Sequence, residues 1–133
     1  MESFYSANKH KNHIVVGDLN IAPHEHDVWS HRALLDVVSH TPIETELLEV
    51  LRKGGNLIDI ARAAHTMDEK LFSWWSYRSA DWTANNRGRR LDHIWLSEKI
   101  APTADLASFT IHRETRSWEK PSDHVPVSLE IEV

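Results

Sequence analysis

The chain has 133 residues, a formal net charge of −5 and no cysteine. This composition excludes disulfide bonds and thiolate metal sites, and it argues against a uniformly basic nucleic-acid-binding domain. No apolar run reaches the length of a membrane span, and the polar first residues lack the apolar core of a secretory signal. We therefore expect one cytoplasmic domain that makes no membrane contact.

A short strand and an acidic turn begin the predicted fold. Residues 1–12 are polar and predict a flexible lead-in to a domain over residues 13–133. Residues 13–17 form a β-branched apolar run that is typical of a buried strand, and Asp18 and Asn20 follow it. Because residues two apart on an extended chain point to the same side, both side chains can address one ligand. A turn that simply closes the strand is the alternative.

One helix has clear signals at both ends. Thr41 is the predicted N-cap, Pro42 takes the first helical position and Glu44 completes a capping box. Gly54 is the predicted C′ residue, so the helix spans residues 42–53. We expect the helix to cover the core with one apolar face. That face consists of Ile43, Leu47, Val50 and Leu51.

Shorter elements occupy the rest of the chain. A short helix is predicted within residues 33–38, a strand or turn at 57–60, and a helical turn at 60–65. Strands are predicted at residues 71–78, 90–96, 107–113 and 125–133, and a polar loop at residues 79–89. This order predicts a mixed α/β layer that is mostly sheet in its second half.

Asp92 interrupts an apolar strand face. On strand 90–96 it shares one face with Ile94 and Leu96, while the other face carries Leu91, His93 and Trp95. We therefore expect the Asp92 carboxylate to be buried, and a buried carboxylate needs a partner. A purely structural aspartate is the alternative.

An Asp-His pair stands at the start of the last strand. Asp123 and His124 lie between Pro121 and Pro126, which stiffen the backbone on both sides. A stiffened loop at the start of a strand is a usual place for reactive groups. An ordinary surface pair is the alternative.

These polar residues together suit one reaction. A carboxylate such as Asp92 fixes the tautomer of a histidine and raises its pKa, so that the ring can donate to an anionic phosphate. A second carboxylate can activate water or bind Mg²⁺, which prefers oxygen ligands, and an amide can orient a phosphate oxygen. The set predicts metal-assisted hydrolysis of a phosphodiester. No serine lies in a nucleophile-elbow context, which argues against a Ser-His-Asp hydrolase.

Four stretches carry a resemblance to a known family. GDLNIAP (17–23), FSWWSYR (72–78), NRGRRLD (86–92) and RSWEKPSDHVPV (116–127) resemble, in the same order, the exonuclease III family of DNA-repair nucleases and abasic-site endonucleases. That family is part of the larger endonuclease/exonuclease/phosphatase superfamily. The resemblance extends from about Ile14 to the end of the chain.

The resemblance implies a fold and a cofactor. The family fold is a four-layer α/β sandwich of two packed sheets, and this chain resembles its C-terminal half. We therefore expect an α/β (α+β) fold, one half of the sandwich, with a mainly antiparallel mixed sheet and covering helices. The implied cofactor is Mg²⁺ or Mn²⁺. The family's first strand with its asparagine, its main metal-binding glutamate and its phosphate-contacting tyrosine have no counterpart in this sequence.

The resemblance also implies roles for individual residues. Asp18 matches the aspartate that orients or deprotonates the attacking water, and Asn20 matches the asparagine that supports water and phosphate. Asp92 matches the aspartate that pairs with the catalytic histidine, and His124 matches that histidine, which contacts the scissile phosphate. Asp123 matches a carboxylate at or near the metal.

Four further residues match DNA-contacting positions of the family. Trp74 or Trp75 matches the aromatic wall of the abasic-sugar pocket, with plain core packing as the alternative for both. Asn86 and Arg87 lie where the family touches DNA. The implied partners are double-stranded DNA and abasic sites, and the implied enzyme is an exodeoxyribonuclease III-like phosphodiesterase with 3′–5′ exonuclease and abasic-endonuclease activity.

Two other functions remain open from the sequence. A phosphodiesterase of the same fold could act on a phospholipid or an inositol phosphate, or the chain could be a catalytically incomplete fragment. Half of the sandwich would expose the inner apolar face of its sheet. A homodimer, or a complementing N-terminal half, would cover that face.

Overall fold

Three small antiparallel sheets and several short helices make up the part of the protein that the computed structural model describes, residues 11–132. The largest sheet has the strand order β1 (Ile14–Asp18), β5 (Asp92–Ser97) and β2 (Leu57–Asp59). A second pairs β3 (Trp74–Trp75) with β4 (Gly88–Arg89), and a third pairs β6 (Ala104–Ile111) with β7 (Val127–Ile131). The α+β class is confirmed, and every pairing between the described strands is antiparallel. Residues 1–10 of the predicted lead-in lie outside the described part of the chain.

The helices are α1 (His31–Leu34), α2 (Pro42–Gly54), α3 (Ile60–Ala64) and α4 (Trp82–Asn85). The predicted capping box of α2 is present, and the Thr41 hydroxyl donates to Glu44 Oε1 at 2.7 Å. The predicted strand at 57–60 and helical turn at 60–65 are confirmed as β2 and α3. Between residues 11 and 132, no helix has both the length and the apolarity needed to cross a bilayer.

The apolar face predicted for α2 is wrong for three of its four members, and the fourth, Leu51, is partly buried and packs against the core. Ile43, Leu47 and Val50 are exposed, and the buried side chain is Leu48, which packs against Leu57 and Trp95. The side of α2 that meets the sheet therefore carries Leu48 and Leu51, which lie against β2 and β5.

Strand β5 lies at the centre of the fold and presents two different faces. Its register with β1 pairs Asp92 with Asp18, Ile94 with Val16, and Leu96 with Ile14. The predicted alternation of the strand is therefore confirmed. One face carries Asp92 and two core residues, and the opposite face carries His93 and Trp95, both almost fully buried.

Two predictions in the aromatic region are corrected. The strand predicted at residues 71–78 is only two residues long, because a turn in which the Ser79 N–H donates to the Ser76 carbonyl at 3.2 Å ends it. The loop predicted at residues 79–89 contains α4, where Asp81 caps the first turn and accepts from the Ala84 N–H at 3.2 Å. The helix ends at Asn86, whose positive φ of 47° stops its continuation.

One apolar face of the β1–β5 sheet is open. Ile14 and Val16 are 53% and 64% exposed, although Ile94 and Leu96 beside them are buried. They line a groove of about 480 Å³ that continues onto β7. The groove begins at Asp92, so the open apolar face and the polar residues described next share one edge of the sheet.

Candidate active site

Asp18, Asp92 and His124 meet at one end of the central sheet. The antiparallel register places Asp18 directly opposite Asp92. His124 Nδ1 lies 2.8 Å from Asp92 Oδ2, and His124 Nε2 lies 3.6 Å from Asp18 Oδ2. The imidazole ring thus bridges two carboxylates that are 74 positions apart in the sequence. The expected partner of Asp92 is confirmed by this contact, and the Asp92 side chain is 16% exposed, so it is shielded but reachable by solvent.

A buried serine fixes the loop that carries His124. Ser73 is fully buried, and its hydroxyl accepts from the backbone N–H groups of Leu91 and Asp92 at 3.0 and 3.1 Å. Its carbonyl accepts from the Val125 N–H at 2.8 Å. Ser73 therefore ties the segments of both Asp92 and His124 to one point. Sequence reasoning missed it, although a lone hydroxyl within the aromatic run 71–75 was the available signal.

Tyr77 supports the same loop from its other side. Its hydroxyl accepts from the Asp123 N–H at 2.9 Å and donates to the Pro121 carbonyl at 3.0 Å. The His124 N–H donates to Ser122 Oγ at 3.1 Å. The loop between the two prolines is thereby held by side chains as well as by its restricted dihedral angles.

The electrostatic surroundings of His124 favour its charged form. Burial lowers the pKa of the imidazole, but the hydrogen bond with Asp92 and the charges of Asp92, Asp18 and Asp123 outweigh it. The net result is a pKa above the ordinary value for histidine. A protonated ring held by Asp92 at Nδ1 keeps Nε2–H free to donate to an anion near Asp18.

Asn20 lies on a turn after strand β1 and is not part of the strand. Strand β1 ends at Asp18, and Asn20 has a positive φ of 58°. Its backbone N–H donates to Asp18 Oδ1 at 2.8 Å, and the Leu19 N–H donates to the Leu91 carbonyl at 3.0 Å. The turn therefore positions the Asp18 carboxylate, and the Asn20 side chain is exposed beside it.

Two buried histidines hold the chain just after Asn20. His93 Nδ1 accepts from Arg90 at 3.2 Å, so its Nε2–H is the donor to the Ile21 carbonyl at 2.8 Å. His40 Nδ1 donates to the Ala22 carbonyl at 2.7 Å. Burial and the charge of Arg90 lower the pKa of His93, so this ring is neutral at neutral pH.

Arg90 anchors this network with two carboxylates. It donates to both oxygens of Asp27 at 2.7 and 2.9 Å, and to both oxygens of Asp59 at 2.9 and 2.8 Å. Burial raises the pKa of Asp27, but the charges of Arg90 and Arg62 outweigh it and hold that pKa below the ordinary value. Sequence reasoning missed this network, because its members come from four separate stretches.

The predicted DNA-contacting residues take different positions. Trp74 is partly buried, and its indole N–H donates to Asp123 Oδ2 at 3.0 Å, so it borders the site. Trp75 is 1% exposed, and its indole donates to the Asn86 side-chain oxygen at 3.1 Å. Arg87 is exposed, with its guanidinium 4.7 Å from the centre of the Trp29 ring. Of the two tryptophans, Trp74 is therefore the one that a ligand can reach.

Comparisons with known proteins show the family of the chain and its fold. A sequence profile described as the Endonuclease/Exonuclease/phosphatase family matches residues 4–124. The chain belongs to the endonuclease/exonuclease/phosphatase family. The predicted resemblance to exonuclease III is confirmed at the level of similarity, since 126 residues are 32% identical to exodeoxyribonuclease III of Haemophilus influenzae. That match covers 88% of this chain and 45% of the relative.

Solved structures of other proteins have the same fold. A 3′ phosphatase from Neisseria bound to a product DNA hairpin superposes with a TM-score of 0.88 at 26% identity, over 99% of this chain and 50% of that one. An AP endonuclease from Archaeoglobus fulgidus superposes with the same TM-score, over 99% of this chain and 52% of that one. Its identity to this chain is 23%, so this similarity shows the fold and nothing more specific. The chain thus spans about half the length of the relatives that it matches.

The donor set at this site fits a hard divalent cation. Ligand atoms of Asp18, Asp92 and His124 all lie within 4.8 Å of one another. Mg²⁺ commonly takes one or two protein carboxylates and completes its shell with water and substrate phosphate oxygens. Asp18 and Asp92 meet that requirement. The predicted metal ligand Asp123 lies beside them, with one carboxylate oxygen occupied by the Trp74 indole.

Proposed function

We propose that the chain carries the histidine-aspartate part of the active site of a metal-dependent DNA phosphodiesterase of the exonuclease III type. The substrates would be DNA 3′ ends and abasic sites in duplex DNA. The single observation that carries the proposal is His124 bridged between Asp92 and Asp18. The family membership and the similarity to exodeoxyribonuclease III support it.

The contacts suggest a role for each group. The protonated His124, held at Nδ1 by Asp92, would donate from Nε2 to a non-bridging oxygen of the scissile phosphate. Asp18 would accept the proton of the attacking water, whose oxygen bonds to phosphorus as the phosphorus–oxygen bond to the leaving group breaks. Asn20, on the adjoining turn, would orient that water or a phosphate oxygen. Trp74 would form the aromatic wall of the sugar pocket.

A bound Mg²⁺ or Mn²⁺ would neutralise the charge that develops on the phosphate. Asp18 and Asp92 are the residues that would hold it, with Asp123 beside them. We infer that removal of divalent cations would abolish hydrolysis and leave the His124–Asp92 contact in place, because that hydrogen bond is made by the protein alone.

We further propose that the open apolar face is covered by the complementing half of the family domain. The exposure of Ile14 and Val16 supports this, and so do relatives that are about twice as long. In that arrangement the missing metal ligand would come from the covering half, whether on the same polypeptide or another one. A second copy of this chain is the competing candidate for covering the open apolar face.

The test is incision of a duplex oligonucleotide with one abasic site, with and without Mg²⁺. The chain would be assayed alone and mixed with the separately expressed N-terminal half of a related exonuclease III. Cleavage lost in His124→Gln and Asp18→Asn, and retained in the exposed control Asp36→Asn, is the expected result. Failure of the folded chain to cleave in either setting would overturn the proposal, and hydrolysis of inositol phosphates in place of DNA would favour the alternative substrate.

A further inference from the structure

A second cavity lies next to the candidate active site, beyond Trp74. Its volume is about 390 Å³, and three arginines and two tryptophans contribute to its lining. They are Arg78, Arg87, Arg89, Trp29 and Trp74. Its lining includes no aspartate or glutamate. In a chain with a net charge of −5, a cavity that concentrates positive charge without a carboxylate stands out.

The surroundings of Arg89 indicate the kind of ligand that the cavity suits. Its guanidinium donates to the Val38 carbonyl at 3.2 Å and to Ser39 Oγ at 2.9 Å, and it lies 5.2 Å from the centre of the Trp74 ring. All three partners are uncharged. Its Nε is buried and has no hydrogen-bond partner among the described residues. Burial lowers the pKa of Arg89, which is the effect of a cation that is desolvated without compensation.

The neighbouring Arg90 gives an internal comparison. Its guanidinium is buried and is neutralised by Asp27 and Asp59, which raise its pKa. Ion pairs within residues 11–132 include Arg90, but they do not include Arg89. A partly buried guanidinium without a carboxylate is costly unless an anion binds to it. The fold supplies the anion for Arg90, and a ligand can supply it for Arg89.

Arg87 and Ser79 complete the cavity. Arg87 and Arg89 flank Gly88, and the alternation of side chains along an extended segment puts both arginines on one side. The Arg87 guanidinium stacks over Trp29, and the Trp29 N–H donates to the Gly88 carbonyl at 3.1 Å, so the arginine is held in place. The Ser79 hydroxyl is also buried without a described partner. Residues that carry two guanidinium groups and a hydroxyl therefore line one cavity.

We propose that this cavity is a phosphate-binding subsite, distinct from the site of hydrolysis, which binds a second phosphate of the nucleic-acid strand. Guanidinium groups match phosphate oxygens with paired hydrogen bonds, and arginines fixed on aromatic rings lose little freedom on binding. Trp74 separates the two sites: its indole N–H contacts Asp123, and its ring faces Arg89. A strand held at both sites would have its scissile phosphate positioned relative to His124. Only the assignment of this phosphate to a nucleic-acid strand rests on the proposed function.

The first test measures phosphate binding without any hydrolysis. The arginine Nε–H signals would be followed by NMR during titration with inorganic phosphate, against sodium chloride at equal ionic strength. The Arg89 signal is expected to shift and saturate, whereas the Arg52 signal, whose Nε already donates to Glu49, stays in place. Arg87→Gln should weaken binding about fivefold or more, and Lys99→Gln should leave it unchanged. An Arg89 signal that does not move, or that moves equally with chloride, would overturn the subsite.

The second test asks whether the phosphate belongs to nucleic acid. Binding of a short oligonucleotide to the Asp18→Asn variant would be measured across salt concentrations without divalent cations. Arg87→Gln should reduce the slope of log affinity against log salt by about 0.7–0.9, and Lys99→Gln should not. If Arg89 responds to inorganic phosphate while this slope is unaffected, the cavity binds free phosphate and the nucleic-acid assignment fails. If the subsite binds oligonucleotide but the wild type hydrolyses no DNA, the subsite stands and the proposed function fails.

Discussion

His124 has three carboxylates around it, and their combined charge determines its protonation state. Burial lowers the pKa of the ring, and the hydrogen bond with Asp92 and the charges of Asp92, Asp18 and Asp123 raise it by more. A histidine whose folded pKa is raised contributes stability that is fully present below its unfolded pKa, near 6.5. That contribution is lost as the pH rises through the folded pKa. The protonated form proposed for catalysis and the stabilising form of the ring are therefore the same.

Asp92→Asn tests this coupling. The amide keeps the shape of the side chain but removes the charge, so the pKa of His124 should fall toward its ordinary value. The alkaline limb of the pH–activity profile should move to lower pH, and hydrolysis at neutral pH should fall about 10²–10⁴-fold. NMR titration of the His124 ring measures the shift, and the buried His93 ring provides an unaffected reference. An unchanged His124 titration in the variant would contradict the assignment.

Strand β5 supports two parts of the candidate site, the His124 ring and the turn that carries Asn20. One face presents Asp92 to His124, and the other presents His93 to the Ile21 carbonyl, directly after Asn20. The alternation of side chains along a strand is what allows adjacent residues to serve these separate purposes. The position of the Asn20 turn thus depends on the buried side of the strand that also carries Asp92.

His93→Phe should damage this arrangement and His93→Gln should largely preserve it. Phenylalanine leaves the Ile21 carbonyl and an Arg90 donor unpartnered, which costs about 1–3 kcal/mol in the free energy of unfolding. Glutamine restores an N–H near the position of Nε2 and a carbonyl to accept from Arg90. Urea unfolding measures the stabilities, and amide exchange in the segment around Asn20 reports its order. Equal stability of the two variants would show that the His93 contact does not hold the turn.

At the scale of the whole molecule, the structure leaves apolar surface uncovered on the side of the candidate site. Ile14 and Val16 are exposed on the edge strand β1 of a sheet whose other two strands are mostly buried. Apolar patches of this kind usually mark an interaction surface. The relatives, at about twice the length, have the additional chain that such a surface requires.

Val16→Lys should therefore change the association state of the chain. We expect the wild-type chain to associate increasingly with concentration in light scattering, because its open face buries apolar area against another copy when no complementing half is present. Val16→Lys should shift it to a monomer by placing a charge in the groove. Val38→Lys is the matched control, since Val38 is 73% exposed but does not line the groove. A clean wild-type monomer at high concentration, or an equal effect of both variants, would contradict this prediction.

Local patterns in the sequence determined several features of this protein. The capping box of α2, the alternation of β5 and the two prolines around Asp123 and His124 are short-range signals, and each predicted its element correctly. The four stretches in order were enough to indicate the family. The predicted strand over residues 71–78 and the predicted loop over 79–89 failed, although the turn that ends the strand and the hydrogen bonds that form α4 are themselves local.

Only the tertiary structure decided which chemically similar residues take different roles. Arg89 and Arg90 are adjacent, yet only Arg90 meets carboxylates, and Trp74 borders the site while Trp75 is buried beneath it. Likewise, Leu48 rather than Leu47 faces the core from α2. The physical reason is common to all three cases. Burial and charge pairing depend on side chains that are tens of residues away in the sequence. A local sequence pattern carries no information about which of those side chains will be in contact.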